Sequence, residues 1–272
     1  MPLRGCVDDG ELRGASALHV ECPVLVREIH STGRELPNLC KSTGLSIATR
    51  ALCAILYSME ASTATSRPKP RLRGWAHVIG AIGFVPAVAL LIGHAHSGAG
   101  FAAAVYGGSL LALLISSAVY HTPFWPKPIR ARMRLVDHSM IYLLIAGSYT
   151  PLCYALGGSA VTVMLPVVWV VALLGVVKTM VWSHAPRWIS TGLYVAFGWG
   201  LVPYGPALYT ALGPVALTLI GAGGFMYTLG AVIYARKWPN PAPLTFGYHE
   251  IFHVMVVVAS ACLFAAMWIA VG

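Results

Sequence analysis

The sequence predicts an all-α, polytopic membrane protein: a bundle of seven transmembrane helices with the N-terminus cytoplasmic and the C-terminus outside. Three observations carry that reading. The chain is 57% apolar and only 10% charged, whereas a globular domain carries about 25% charged residues, so a water-soluble fold would be left with too much apolar surface. Beyond residue 74 the sequence resolves into seven apolar runs of membrane-spanning length. The basic residues between those runs fall on one side of the alternation.

Residues 1–58 stand apart. They hold six of the nine acids and no long apolar run. The stretch Leu45–Tyr57 contains Arg50 and is too short to span. No signal peptide with a charged start and an apolar centre is visible, and the segment is read as a disordered extension or as the product of a start codon upstream of Met59. Residues 59–74 form a basic leader with Arg67, Lys69, Arg71 and Arg73. Residues 75–272 form the membrane domain, with runs at 75–93, 101–121, 137–156, 160–181, 190–210, 213–235 and 248–271. Each holds 19–24 residues, close to the ~20 that a helix rising 1.5 Å per residue needs to cross ~30 Å of hydrocarbon. In lipid the backbone must satisfy its own hydrogen bonds, which makes such runs helical. The boundary between the fifth and sixth runs is the narrowest, because Tyr204, Gly205 and Pro206 leave little loop.

Twelve basic residues follow Glu60. Four lie in the leader. Lys127, Arg130, Arg132 and Arg134 join the second and third runs. Lys178 and Arg187 flank the fourth connection, and Arg236 and Lys237 the sixth. All twelve lie on one side of a seven-span alternation, and the positive-inside rule makes that side cytoplasmic. This distribution also argues against nucleic acid as the reason for the net charge of +9. Trp75, Trp125, Trp188 and Trp238 mark the same inner boundaries and suit interfacial anchoring. Cysteine spacing includes no CxxC pair and gives no reason to expect a finger-type zinc site or disulfides.

Only two acids follow Glu60, and each adjoins a histidine: Asp137-His138 and His249-Glu250. A carboxylate in an apolar setting is costly unless something compensates it. The topology brings three segments to one inner depth: Ser117 to His121 at the end of the second run, Asp137-His138 at the start of the third, and His249 to His253 at the start of the seventh. His249 and His253 are four apart, offset by about 40° and roughly 6 Å on a helix, so one metal can be held by both. Ser117 and His121 share that spacing. Three histidines and a water make an open zinc site of the catalytic type, and a nearby carboxylate would hold or deprotonate the water.

Each residue has a plainer reading. His121 alone suits an interfacial position, Asp137 alone a helix N-cap, and Ser117 alone a small packing residue between helices. The string His249-Glu250-x-x-His253 fits a metalloprotease pattern with Glu250 as base, but Glu250 is offset by about 100° from His249 and an interfacial position is the preferred reading. His77, His94, His96, His138 and His184 are read as outside the ligand set. The argument for a site rests on the conjunction of the three segments.

Three pieces resemble the bacterial hemolysin III family, grouped with the progestin and adipoQ receptors that include the adiponectin receptors. They are Ser117-x3-His121, the run from Asp137-His138-Ser139 to Ala146-Gly147-Ser148-Tyr149-Thr150-Pro151, and His249-Glu250-Ile251-Phe252-His253. The resemblance covers about residues 73–272. It implies Zn2+ near the cytoplasmic side, with His121, His249 and His253 as ligands, Asp137 on the zinc-bound water and Ser117 as the serine one turn before the first ligand. Receptors of the family commonly carry Gln where Glu250 stands, which weakens its case as an obligatory base. It further implies a multi-pass protein of the bacterial inner membrane and a ceramidase-like hydrolysis of a lipid amide or ester, with membrane lipid as the substrate and no nucleic-acid partner. Two other functions remain open: a pore-forming haemolysin or receptor-like switch with structural zinc, and an intramembrane metalloprotease.

Overall fold

The computed structural model describes residues 69–272; the expectations for 1–58, and for the leader up to residue 68, lie outside the described residues. Seven α-helices follow in order among them: α1 (Trp75–His94), α2 (Gly100–His121), α3 (Lys127–Leu156), α4 (Leu165–Val181), α5 (Arg187–Trp199), α6 (Gly205–Arg236) and α7 (Tyr248–Val271). A π-helical turn, Ala160–Met164, leads into α4, and a 3-10 turn, Val202–Tyr204, separates α5 from α6. The described residues contain no β-strand, only an isolated bridge between Ala242 and Phe246.

Six helical stretches are long and apolar enough to cross a membrane. Most end where the sequence runs end. α7 matches the seventh run, and α2 closes on His121. Two differences matter. First, α3 begins at Lys127, with Pro126 as its N-cap and Pro128 pre-set for the first turn. Asp137 therefore lies well inside α3 and does not cap it. The basic segment that hydropathy assigned to a loop is helical and continuous with the apolar run that follows it. Second, a single apolar stretch of 50 residues, Arg187–Arg236, takes in both α5 and α6. It is interrupted around Pro203 and Pro206 and again at Gly213, whose φ of 79° no side-chain-bearing residue adopts readily.

The apolar side chains divide by what they face. Leu91, Tyr106, Leu110, Leu114, Leu144, Leu152, Val256 and Met267 form one core shared by α1, α2, α3 and α7. Tyr142, Ala146, Tyr149, Cys153 and Ala172 form a second between α3 and α4, where Gly175 leaves space for the Tyr142 ring. Small residues at such contacts let helices approach closely when there is no hydrophobic force between them in lipid. The outward faces are also apolar: Ile82 is 70% exposed on α1 and Val181 is 82% exposed on α4. A belt of that kind requires lipid around it.

Hydrogen bonds gather the basic segments at one end. Lys69 Nζ donates to the carbonyls of Thr122 and Pro123 at 2.8 and 3.2 Å, beyond the end of α2. The backbone amides of Arg71 and Leu72 donate to Leu244 and Thr245 in the α6–α7 connection. At the opposite end His94 stacks on Trp268, and the His96 amide donates to the Val271 carbonyl.

Candidate metal centre

The basic end of the bundle holds the site. His121 is the last residue of α2, and Ser117 lies one turn earlier. Asp137 comes from α3, and His249 and His253 from the first two turns of α7. Ser117, His121, Asp137 and His253 are buried and His249 is half-buried. One ligating atom from each of the three histidines lies within 4.8 Å of the others. Nε2 of His249 is 3.3 Å from Nε2 of His121. Two imidazole lone pairs at that distance repel unless a proton or a cation lies between them. A tetrahedral zinc with Zn–N near 2.05 Å would set such nitrogens about 3.4 Å apart, so His121 and His249 have the spacing of two ligands on one ion, and His253 offers a third nitrogen within 4.8 Å.

Asp137 Oδ2 is 3.8 Å from Nε2 of His121. The Ser117 hydroxyl neighbours the same carboxylate. The five residues singled out in the sequence therefore line one space, and the carboxylate lies beside the histidines rather than among them.

Glu250 departs from its expected interfacial place. Its side chain is 2% exposed. Oε1 accepts from Arg73 Nε at 2.5 Å, and Oε2 accepts from the Gly247 amide at 2.8 Å. The latter contact is the Glu half of a capping box at the start of α7, where Gly247, as N-cap, has no side chain to supply the other half. Both carboxylate oxygens are thus engaged in holding the helix that carries His249 and His253, and Glu250 does not line the space that the histidines share.

His77 is the residue the sequence reading missed. It lies in the first turn of α1, is 3% exposed, and stacks on His253 with ring centroids 4.1 Å apart and an interplanar angle of 15°. Both of its ring nitrogens, and Nδ1 of His253, are buried without a hydrogen-bond partner. The signal was depth: three residues separate His77 from the last leader arginine, Arg73, which puts it level with His121 and His249. His94 and His96, in contrast, are at the far end.

These groups line a cavity of about 840 Å³ that extends from the basic end along α2, α3, α5, α6 and α7 to Leu152, Leu208 and Met267. His138 and His184, read as outside the site, also border it. At its mouth the positive charges crowd one another. Burial first, then the charges of Arg130 and Arg73, hold the Lys69 ammonium below the usual lysine range.

Comparison with known proteins agrees with the motifs. A sequence model described as "Haemolysin-III related" matches residues 65–264. The chain is 35% identical over 193 residues to "Hemolysin-3" of Bacillus cereus, covering 69% of this chain and 85% of that protein. It is 33% identical to "Hemolysin-3 homolog" of Bacillus subtilis (strain 168), covering 69% and 87%. It is 29% identical over 174 residues to the human "Monocyte to macrophage differentiation factor", covering 60% and 68%. With lipid-facing helices, a cluster of histidines from α2 and α7, and a family match across the described domain, the chain belongs to the haemolysin-III related family of multi-pass membrane proteins.

Proposed function

We propose that this protein is a metal-dependent membrane hydrolase, with zinc as the ion, that cleaves a lipid amide or ester at the inner face of the bacterial plasma membrane. The observation that carries the reading is the approach of three histidine nitrogens to within 4.8 Å, with a carboxylate 3.8 Å from one of them, at the polar end of a largely apolar cavity. Lipid is the partner, and nucleic acid is not, because the basic end is continuous with the apolar belt. Seven crossings are preferred to six: a 50-residue helical stretch would extend about 75 Å if straight, more than twice the hydrocarbon thickness. Seven crossings also keep all twelve basic residues on one side, with the N-terminus cytoplasmic and the C-terminus outside.

His121, His249 and His253 would hold the ion, and His77 backs His253. A bound divalent ion supplies Lewis acidity toward a carbonyl and lowers the pKa of water. Asp137 orients the attacking water and takes its proton, and Ser117 holds the Asp137 carboxylate in place. The water oxygen bonds to the acyl carbon, the acyl C–N or C–O bond breaks, and the proton passes to the departing nitrogen or oxygen. The products are a fatty acid and an amine or alcohol. The apolar cavity takes the acyl chain and keeps bulk water from it.

The test is metal content and turnover of the purified full chain. About one zinc per chain is expected, with loss of both metal and acyl-amide cleavage in the His249→Ala/His253→Ala double variant. Full metal retention in that variant would end the reading. A second reading, membrane lysis, is suggested by the names of the Bacillus relatives. It predicts that the Asp137→Asn variant lyses erythrocytes as the parent does; an active hydrolase whose product causes lysis predicts that the variant does not.

A further inference from the structure

Three arginines at the cavity mouth have no carboxylate partner among the described residues. Arg130 and Arg134 of α3 and Arg187 of α5 line the same cavity as the histidines. Arg130 and Arg134 are four apart, so they share a helix face, where like charges are mutually destabilising. Arg134 and Arg187 come from different helices and border the same cavity as His138. Arg187 Nη1 reaches the Tyr248 hydroxyl at 3.4 Å, and its guanidinium lies 5.3 Å from the centre of the Tyr234 ring. These contacts aim it without neutralising it. Only Asp137 and Glu250 are acidic after residue 60. Glu250 is taken by Arg73, and Asp137 faces His121. Among the described residues no carboxylate pairs with the three arginines. Lys127, Arg132, Arg236 and Lys237 lie at the same end of the bundle and do not line the cavity. Arg73, paired with Glu250, also lines it, and topological charge alone would not single out the other three.

The cavity behind them is long enough to take an acyl chain. From His253 to Met267, both lining residues, α7 rises about 21 Å, against ~15 Å for one leaflet of hydrocarbon. An amphiphile with its head at the arginines and its chain toward Leu152 and Met267 passes its head-to-chain linkage beside His121 and His249.

We propose that the mouth is a subsite for an anionic head group, and that the substrate is a single-chain lipid bearing a phosphate or carboxylate a few bonds from its acyl carbonyl. This rests on the hydrolase reading for what happens to the linkage, but not for the binding itself. Arg130, Arg134 and Arg187 capture the anion through charge-assisted hydrogen bonds. The captured head sets the depth of the acyl carbonyl, so charge selects the substrate and register places it.

Binding of ether-linked analogues, which have no acyl bond to cleave, separates the subsite from the chemistry. The full chain in neutral detergent is titrated with hexadecylglycerol phosphate, a hexadecyl ether ending in a carboxylate, and uncharged hexadecylglycerol. At least one anionic analogue is expected to bind about tenfold more tightly than the neutral one, and the stronger of the two names the head group. The Arg134→Gln/Arg187→Gln variant should bring the anionic and neutral affinities within about twofold. The Arg132→Gln/Lys237→Gln variant, which removes the same charge away from the cavity, should keep the preference. Equal affinities in the parent overturn the subsite without any variant having to fold. Equal loss in both variants also overturns it, by assigning the preference to the general surface field. Selective binding with no cleavage of the corresponding acyl lipids by the zinc-loaded protein would instead reject the hydrolase reading and leave the subsite standing.

Discussion

His77 lies flat against His253, with ring centroids 4.1 Å apart and planes 15° from parallel. This contact connects α1 to the metal centre, although α1 contributes none of the three clustered histidines. A stacked ring restricts the tilt of its neighbour, and residues that orient a ligand tune metal affinity from outside the ligand set.

His77→Ala should therefore weaken zinc binding by about tenfold, the low end for residues that orient a ligand. His77→Phe restores a flat ring and should return affinity to within about threefold of the parent. Chelator competition measures both. If His77→Phe binds as weakly as His77→Ala, the ring nitrogens rather than the stack are what matter.

Asp137→Asn keeps the shape of the side chain and removes its capacity to take a proton. Zinc stoichiometry should be unchanged, while turnover of an acyl-amide lipid should fall about 100-fold or more, as expected for loss of a general base. An Asn variant that turns over at the parent rate would falsify the assignment of Asp137 to the water.

The Arg73–Glu250 pair makes opposite predictions for its two members. Arg73→Ala strands a buried carboxylate and should destabilise the protein by about 3 kcal/mol, read as a lowered melting midpoint in detergent. Glu250→Gln keeps an acceptor for the Gly247 amide and should cost less than about 1 kcal/mol, because Gln also serves at the third helical position to accept from the N-cap amide. Turnover should survive Glu250→Gln. Abolished cleavage with normal melting would restore Glu250 as a base and favour the protease reading.

Gly74 precedes α1 with φ 88°, and a Cβ there would meet His121 Cβ at 2.9 Å and Thr122 Oγ1 at 2.8 Å. Gly74→Ala should cost about 1–2 kcal/mol from the left-handed backbone alone. It should also displace the end of α2, so that zinc affinity falls together with the melting midpoint. An Ala variant with parent-like affinity would show that His121 does not depend on this close approach.

Much of the site was legible because helical period and depth are local properties. His249 and His253 share a face because they are four apart. His121, Asp137 and His249 share a level because the basic residues mark one end of each span. Neither property reports which faces meet. Glu250 was read as interfacial because its angle on α7 is known from sequence, but whether that angle points at water or at Arg73 depends on where the leader docks. His77 was set aside because α1 bears no ligand motif; its stack on His253 exists only because α1 packs beside α7. Asp137 was read as a possible cap because hydropathy places the start of α3 at the first apolar residue, while the helix itself begins at Lys127.

The sequence by itself determined the membrane class, the lengths of most helices, the end at which charge accumulates, and the residue types available for a metal. Those follow from composition, from the hydrocarbon thickness and from the scarcity of acids. Tertiary structure alone decided that Glu250 belongs to Arg73 and the α7 cap, that Asp137 stands beside His121, and that four arginines, Arg73 among them, border one long cavity. Each of these is a contact between helices, and the lateral order of helices in lipid is set by side-chain packing, which no single span encodes.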